Sequence, residues 1–413
     1  MILNLSQLNA DQKAAALKIQ MFIESPLTKG KVFTLTGGPG TGKTFMLRTI
    51  LDGYKGSVQA ATVSHAAKNI LQESLGDRVE CITLARLLGL NMSISDDGTI
   101  KFIRPENAKG ARPSQIGSAG LLIIDEVSQI EDYIHDMIIH EAQSAGVRII
   151  AVGDPYQLPP VEQNHDSKFF ATINATLTIP MRFQGPIADL AAAYRHEIDS
   201  INDDRSFDKW ILNTYSNRTN CLSGDTGYLF ENKLQSIIEL AAHDIVSHPE
   251  STSYARILAF RNESVAEVNK RVRTQIYGSN LAQFEPNELV ICNGGYSAYV
   301  SLDGGVNTRR IPILYNGQVL KVRSFIPIIG PEGIPCILVY FSNFAFSVDH
   351  PVIVVDHSIE GQLAYNDILS RKLKEAKAMT DVRLAREAWR RYYAFIESFA
   401  NFDYAYSVNL YKA

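Results

Sequence analysis

The segment TGGPGTGKT (residues 36–44) decides the fold of this chain. From Gly37 to Thr44 it fits the pattern glycine, four variable residues, then Gly-Lys-Ser/Thr. It follows an apolar run and precedes a helical pattern, which is the strand–loop–helix context that a phosphate-binding loop requires. Backbone N–H groups of such a loop surround phosphates, Lys43 can reach the β- and γ-phosphates, and the Thr44 hydroxyl can ligate Mg²⁺. The predicted nucleotide-binding residues of this loop are Gly38, Gly40, Thr41, Gly42, Lys43 and Thr44.

Strand-length apolar runs alternate with helical patterns through the first 180 residues. The runs are KVFTLT (31–36), SVQAATV (57–63), LLIID (121–125) and VRIIAVG (147–153). The helical patterns between them cover residues 42–52, 65–75 and 131–145. This alternation predicts an α/β fold whose parallel sheet is covered by helices on both faces.

Polar residues follow two of these predicted strands directly. Asp125 and Glu126 follow the run LLII, which predicts that Asp125 holds Mg²⁺ and that Glu126 polarises the attacking water as general base. Gln157, in VGDPYQLPPV (152–161), lies just past the next predicted strand. A glutamine there can sense the γ-phosphate or orient water, although a plain proline-rich loop explains the segment equally well.

These three motifs, in this order and spacing, resemble those of the superfamily 1 helicases, in particular the RecD-like branch and its Dda-type helicases of tailed phages. The segments RILAFRNESVAEVN (256–269) and YNGQVLKV (315–322) resemble second-domain motifs of the same group. The resemblance implies an ATP-dependent DNA helicase or translocase that uses ATP and Mg²⁺ and acts on single-stranded and fork DNA. It also implies 5′-to-3′ movement and a place in phage-type DNA replication or recombination.

The resemblance implies roles for further residues. Gln12 in LNADQKAA matches a glutamine that recognises adenine, and Arg182 in LTIPMRF matches the catalytic arginine of motif IV. The segment ATVSHAAKNIL resembles a motif that lies on single-stranded DNA, which implies contacts from Ser64 and His65. A capping role at the start of the following helix is an equal alternative for His65. In ITLARLLGL, Thr83 is the implied phosphate contact.

The implied architecture has two RecA-like domains, with ATP in the cleft between them and an SH3-like β subdomain inserted in the second domain. Turn-separated strand-like runs over residues 289–356 independently predict a small antiparallel sheet or barrel, and one or two helices cover most of residues 362–413. The predicted domains are 1–180 for the first RecA-like domain, 181–288 for the first part of the second, 289–400 for the SH3-like insertion with bracing helices, and 401–413 for the return to an incomplete second domain.

A β-hairpin is predicted at about residues 90–112, because Asp97-Gly98 is a strong two-residue turn signal. In Dda-type helicases such a hairpin is a wedge at the fork, which makes Phe102 the candidate for its apolar tip, with Ile100 and Ile103 as competitors. An aromatic ring stacked on an exposed base returns roughly 1–3 kcal/mol, against stacking of about 1.4 kcal/mol per base-pair step. Packing of Phe102 beneath the hairpin is an equal alternative.

The helical segment REAWRRYYAFIESF (386–399) mixes arginine with aromatic residues, a combination that is typical of surfaces that bind single-stranded nucleic acid. Packing against the β subdomain, where such helices brace the hairpin in the family, is the favoured interpretation.

The final segment, YAYSVNLYKA (404–413), resembles the start of helicase motif V. Alternation of Tyr404, Tyr406, Val408 and Leu410 predicts a strand. We expect this chain to be the N-terminal part of a helicase that binds nucleotide and single-stranded DNA but needs a C-terminal helicase fragment as partner. That fragment would supply the motif VI arginine, whose loss costs on the order of 10³–10⁵ in rate.

Composition narrows the class of protein. A chain of 413 residues exceeds the roughly 250–300 that one core supports, which predicts two or more domains. A net charge of −4 argues against bulk coating of nucleic acid but permits a local basic groove. Four cysteines without a CxxC pair predict neither a zinc site nor a disulfide framework. Without a signal peptide or an apolar run of about 18 residues, we expect no membrane contact and a cytoplasmic location, the host cytosol if phage-encoded.

Two other functions stay open at this stage. One is a nucleic-acid-binding module with a degenerate ATP engine, which nucleotide-independent DNA affinity would favour. The other is an unrelated P-loop NTPase such as a kinase, against which Gln157 and the segment 61–71 argue. RNA as substrate is also open, because the 2′-hydroxyl contact that distinguishes it cannot be read from sequence.

Overall fold

A computed structural model describes residues 3–94, 100–104, 113–160, 163, 165–181, 185–200, 221–223, 226–228, 231–252, 254–301, 308–342, 351–379 and 382–409. Several side chains within helices and strands, among them those of His65 and Phe102, lie outside this description. The chain divides into two compact units, Met1–Phe230 and Glu231–Ala413. The boundary expected between residues 180 and 181 stays a prediction.

The first unit is built on a parallel sheet with the strand order β3-β2-β6-β7-β1-β8. Its strands are β1 (Val32–Gly37), β2 (Val58–Thr62), β3 (Glu80–Thr83), β4 (Asn91–Ile94), β5 (Ile100–Ile103), β6 (Leu121–Ile124), β7 (Arg148–Gly153), β8 (Ala175–Leu177), β9 (Cys221–Ser223) and β10 (Thr226–Tyr228). Its helices are α1 (Ala10–Glu24), α2 (Lys43–Gly53), α3 (His65–Leu75), α4 (Leu84–Leu87), α5 (Asp132–Ala145) and α6 (Pro186–Ser200). Short 3₁₀ turns lie at Pro26–Thr28, Ile116–Ser118, Val127–Gln129 and Lys168–Ala171.

Strand β6 shows why this sheet has helices on both faces. Leu121 and Ile123 pack into one core, which includes residues of α1, α2 and α3. Leu122 and Ile124 pack into a second core with residues of α5. Every residue of the strand is therefore buried, which explains its uninterrupted apolar sequence. The predicted α/β class with a parallel RecA-like sheet is confirmed.

Strands β4 and β5 form an antiparallel pair outside the main sheet, with Asn91 opposite Ile103 and Ile94 opposite Ile100. The Asp97-Gly98 turn lies outside the described residues. The backbone of Phe102 lies in β5, but its side chain is not described, so its role at a fork stays a prediction.

The second unit contains an antiparallel sheet with the strand order β17-β16-β15-β12-β18. Its strands are β11 (Ile257–Ala259), β12 (Leu289–Cys292), β13 (Tyr296–Ser301), β14 (Thr308–Leu314), β15 (Val319–Ile329), β16 (Pro335–Phe341), β17 (Val352–Val355), β18 (Phe402–Tyr404) and β19 (Ser407–Asn409). Its helices are α7 (Leu234–Ser247), α8 (Asn262–Tyr277), α9 (Ile359–Ala378) and α10 (Val382–Ile396), with a 3₁₀ turn at Pro331–Gly333. An antiparallel sheet over residues 289–356 is confirmed, whereas its likeness to an SH3 domain stays a prediction.

The single strand predicted over Tyr404–Leu410 is wrong in its described part. The structure has two short strands there, β18 and β19, separated by a bend at Ala405 and Tyr406. Strand β18 pairs antiparallel with β12, whereas β19 pairs parallel with β11, so the chain passes from one sheet to another. The residues from Ala405 to Val408 are all buried, and period-two spacing therefore did not separate an inner face from an outer face.

A buried ion pair joins α8 to the loop before β12. The Arg273 guanidinium contacts the Glu288 carboxylate, and these residues are 6% and 0% exposed. Arg273 also donates to the Ala282 carbonyl oxygen at 2.9 Å and lies 3.8 Å from the ring centroid of Tyr404. Burial raises the pKa of Glu288, and the hydrogen bond from Arg273 opposes that rise.

We expect Arg273→Ala to lower the free energy of unfolding by about 3–5 kcal/mol, because it leaves the Glu288 charge buried without its partner. Arg271→Ala is the matched control on the same helix, since Arg271 pairs with Glu267 at the surface and such pairs contribute about 0.5 kcal/mol or less. Urea unfolding of the full chain measures both losses. Equal losses in the two variants would contradict the prediction.

Candidate functional site

Three loops meet at the edge of the parallel sheet where its strands end. Strand β7 lies between β1 and β6, with Thr36 opposite Gly153 and Ile124 opposite Ala151. The phosphate-binding loop follows β1, and Asp125 and Glu126 follow β6. Because the carboxyl ends of parallel strands meet at one edge, the residues after β7 lie between the predicted phosphate loop and the two carboxylates.

The glycine-rich loop has the backbone that its sequence predicts. Gly40 and Gly42 have φ angles of 73° and 78°, in the left-handed region that glycine adopts readily. The Thr41 hydroxyl donates to the Gly38 carbonyl oxygen at 2.8 Å. The Lys43 ammonium donates to the carbonyl oxygens of Gly37 and Gly38, at 2.7 and 3.1 Å. Thr44 occupies the first turn of α2, where its hydroxyl could meet a metal ion beside the loop.

Gln12 contacts the loop through its buried amide. Its side-chain nitrogen donates to the Thr41 carbonyl oxygen at 3.0 Å, and its side-chain oxygen accepts from the Asn9 backbone N–H at 3.0 Å. The second bond belongs to a capping box, in which Asn9 in turn caps the start of α1. Gln12 is 2% exposed, so in this conformation its amide supports the loop. Its adenine contact stays a prediction.

The charged groups at this edge shift one another's pKa. Burial raises the pKa of Asp125, against the hydrogen bond from the Glu126 backbone N–H and the charge of Lys43. Burial also raises the pKa of Glu126, and the negative charge of Asp125 adds to that rise. Burial lowers the pKa of Lys43, while the carboxylates of Asp154, Asp125 and Glu126 oppose the decrease. Lys43 thus lies near three carboxylates, and such a cluster of groups with shifted pKa values marks a candidate functional site.

Glu126 has an unusual backbone for a non-glycine residue. Its φ and ψ angles are 56° and 43°, in the left-handed region. Such strain of about 1–3 kcal/mol persists where the surrounding structure fixes the conformation, and it is concentrated at functional sites. It orients the carboxylate that sequence analysis assigned as general base.

Gln157 joins the β7 loop to the β6 loop. Its backbone N–H donates to the Asp154 carbonyl oxygen at 3.1 Å, and its side-chain oxygen accepts from the Ser128 hydroxyl at 3.3 Å. Gln157 is exposed at the surface of the site. The structure brings it together with Lys43, Asp125 and Glu126, while its catalytic role stays a prediction.

Sequence analysis missed an ion pair beside the loop. Asp154, 1% exposed, is bound by both terminal nitrogens of Arg195 on α6, one of them at 3.2 Å from Oδ1. The Arg195 guanidinium also lies 4.7 Å from the ring centroid of Tyr156 and packs against Gly38, where an added Cβ would approach it to 3.1 Å. Both residues line a pocket of about 300 Å³ on the flank of the phosphate loop. Asp154 adjoins the Gln157 motif and could have been suspected, but no local pattern marks Arg195.

The predicted DNA-contact residues occupy helix starts at the same edge of the sheet. The Ser64 hydroxyl caps α3 by accepting from the Ala67 N–H at 3.1 Å, and the Thr83 hydroxyl caps α4 by accepting from the Arg86 N–H at 3.4 Å. Ser64, rather than its neighbour His65, is the N-cap of α3. The side chain of His65 and the whole of Arg182 lie outside the described residues. DNA contact by Ser64 and Thr83 stays a prediction.

Within the described part of the chain, no group of three or more His, Cys, Asp or Glu side chains is placed to hold a metal ion. The oxygen donors of Thr44 and Asp125 still suit Mg²⁺, which usually takes one or two protein ligands and completes its shell with phosphate and water. A search of the described helices finds none long and apolar enough to span a bilayer.

The chain is similar in sequence to known proteins. Residues 7–200 match a family model described as an AAA domain. Over 301 residues, 70% of this chain and 62% of the relative, the sequence is 24% identical to the ATP-dependent DNA helicase dda of Enterobacteria phage T4. Over 149 residues, 35% of this chain and 18% of the relative, it is 30% identical to the ATP-dependent RecD2 DNA helicase of Deinococcus radiodurans. The chain therefore spans 62% or less of these curated relatives.

A solved structure is also similar in fold: Bacteroides Pif1 bound to single-stranded DNA, at 17% identity and a TM-score of 0.40. The similarity covers 88% of this chain and 89% of that one.

We expect Gly42→Ala to weaken binding of a fluorescent ATP analogue about tenfold or more. The new Cβ would lie 2.4 Å from the Gln12 side-chain nitrogen, so the buried bond to Thr41 must break, at about 1–3 kcal/mol. Gly146→Ala is the control, since Gly146 also has a positive φ, of 65°, but no atom lies within 4 Å of its added Cβ. A similar loss of affinity in both variants would mean that backbone strain, rather than the Gln12 contact, is responsible.

Proposed function

The chain belongs to the Pif1, RecD and Dda family of superfamily 1 helicases, and from that premise we propose that it hydrolyses ATP to move along single-stranded DNA and separate the strands of a fork. The observation that carries the proposal is the arrangement at the sheet edge, where Lys43 lies near Asp125, Glu126 and Asp154 beside a phosphate-binding loop. Movement from 5′ to 3′, a role in DNA replication or recombination, and a location in the cytoplasm, or in the host cytosol if the protein is phage-encoded, are parts of the proposal that rest on family membership.

Each residue of the site has a part in the proposed hydrolysis. The loop N–H groups and Lys43 would hold the phosphates of ATP. Thr44 and Asp125 would hold Mg²⁺, which when bound neutralises charge on the phosphate oxygens. Glu126 would accept a proton from the attacking water, and Gln157 would orient that water or sense the γ-phosphate. Arg182 is proposed to stabilise charge on the transferred group.

Conversion of hydrolysis into movement requires that DNA affinity depends on the nucleotide state. Ser64 and Thr83 lie at helix starts on the same sheet edge as the phosphate loop. Unpaired N–H groups at a helix start favour anions such as backbone phosphates. Changes in the phosphate loop and the β6 loop could therefore reach a bound strand through β2 and β3, which pair with each other in the sheet. Contacts to backbone phosphates do not depend on the base sequence, and such binding suits a motor that must move along any strand.

The primary test of this function is ATP hydrolysis with and without single-stranded DNA, by the chain together with the C-terminal helicase fragment that sequence analysis predicts as its partner. In that assay we expect DNA to stimulate hydrolysis, and Lys43→Ala to reduce the stimulated rate by about 10²–10³-fold, because the variant lacks a cation aimed at developing phosphate charge. Lys55→Ala, an exposed lysine beyond the end of α2, is the matched control and should leave the rate unchanged. Hydrolysis that ignores DNA, or that survives in Lys43→Ala, would contradict the proposal.

The decrease in the rate of ATP hydrolysis at low pH should follow the protonation of Glu126. Because burial and the Asp125 charge raise its pKa above 4.5, Glu126 is ionised only above that raised value, and kcat/KM should fall as the pH is lowered through it. The midpoint should therefore lie above 4.5.

Glu126→Gln should lower kcat by about 10²–10⁴-fold while the ATP analogue still binds. In Asp154→Asn the midpoint should move to lower pH, since the Asp154 charge contributes to the raised pKa of Glu126. A midpoint below 4.5, or an upward move in Asp154→Asn, would assign the decrease to another group.

A further inference from the structure

We propose that Arg104 and Glu141 form a clamp that fixes the root of the β4–β5 hairpin, and that the clamp is needed for strand separation but not for ATP hydrolysis. The inference rests on the proposed function and on the wedge role at the fork that the family resemblance implies for this hairpin. Arg104 is a positioning residue in this proposal, because it acts through the hairpin and has no contact with nucleotide.

Arg104 is the first residue after β5, and its side chain returns across the root of the hairpin. Its Nη2 nitrogen donates to the Leu88 carbonyl oxygen at 2.8 Å, just before the chain enters β4. The same nitrogen contacts Oε1 of Glu141 on α5. One guanidinium therefore joins the end of the hairpin, its beginning and a helix of the parallel-sheet core.

Glu141 gives the contact its strength. Its side chain is 16% exposed, and in the described part of the chain neither carboxylate oxygen has a hydrogen-bond partner besides the Arg104 ion pair. Arg104 itself is 38% exposed, but its loss removes the one cation that the described residues place beside these shielded oxygens, and a carboxylate left in that way is destabilised. The helix beneath it is fixed, since Ile138 and Ala142 on α5 are 0% exposed in the core. The clamp therefore holds the hairpin against a rigid support.

Backbone bonds show that the same root is fixed on both sides. The Leu90 N–H donates to the Ala85 carbonyl oxygen at 2.8 Å, before β4. The Gln115 N–H donates to the Leu87 carbonyl oxygen at 2.7 Å, on the return from the hairpin. A two-stranded ribbon alone is only marginally stable. Its resistance to a load must therefore come from this root, and Arg104 is the side chain that closes it.

Strand separation and hydrolysis make different demands on the hairpin. A wedge transmits force to a duplex only if its root does not rotate under load. Movement along a single strand places no duplex against the wedge and needs no such stiffness. Loss of the clamp should therefore separate unwinding from ATP turnover.

The test compares Arg104→Ala, Arg104→Lys and Glu141→Gln with Lys168→Ala in the full chain, assayed as in the hydrolysis test above. Lys168 is the matched control because it pairs with Asp136, which lies on α5 like Glu141, and the two side chains are 41% and 60% exposed. Three quantities are measured: backbone hydrogen exchange over residues 91–103, hydrolysis of ATP stimulated by single-stranded DNA, and the rate of opening of a forked duplex.

We expect Arg104→Ala and Glu141→Gln to speed exchange over residues 91–103 about tenfold or more. Fork opening should fall by a similar factor, and hydrolysis should stay within about twofold of the unmodified chain. Arg104→Lys should recover part of both effects, since it keeps the charge but loses the fork of donors. Lys168→Ala should change none of the three quantities.

Unchanged exchange over residues 91–103 in Arg104→Ala overturns the clamp, whether or not the chain opens forks. Equal losses of hydrolysis and fork opening overturn its selective role, because a general loss of folding produces that pattern. If the unmodified chain hydrolyses ATP but opens no fork, the proposed function fails and the coupling role fails with it. The exchange data then still decide whether the clamp exists.

Discussion

The pairing of β7 between β1 and β6 is the constraint on which the site depends. Parallel strands in register end at one level, so the hydrogen bonds of the sheet bring together three loops that are far apart in sequence. Alternate residues of the central strands fill two separate cores. A one-residue slip of β7 would exchange these faces and also displace Asp154 from the phosphate loop. Stability and site geometry therefore depend on the same register.

The site concentrates charge at that edge, and the surrounding structure compensates for it. Asp154 is buried, and both terminal nitrogens of one arginine bind it in a bidentate, charge-assisted contact. Gln157 and Ser128 connect two of the loops, and Gln12 supports the third. A displacement of one loop therefore alters the short polar contacts that position the others. This connection gives hydrolysis a physical route to neighbouring parts of the first unit.

Sequence predicted those features that depend on local pattern. The phosphate loop, the buried strands and the acidic pair each follow from spacing within about ten residues, and their predicted positions agree with the elements observed. Arg195 could not be found in that way, because its partner lies 41 residues away and depends on how α6 packs. The last strand failed for another reason: the alternation over Tyr404–Leu410 is present in the sequence, but the chain changes sheets there and is buried on both sides, so the pattern does not mark one continuous strand. Gln12 was found by resemblance, while its observed contacts require the folded helix start.

The link from Gln12 to the phosphate loop has a consequence for how the N-terminal region can vary. A helix turns about 100° per residue, so one residue inserted between the Asn9 cap and Gln12 would rotate the amide away from Thr41. Substitutions on the exposed face of α1, such as at Met21, which is 72% exposed, leave that angle unchanged. The exposed face of this helix should therefore accept exchanges of side chain far more readily than the helix start accepts changes of length. Homologous proteins should differ in the residues on that face, but rarely in the number of residues between the cap and the glutamine.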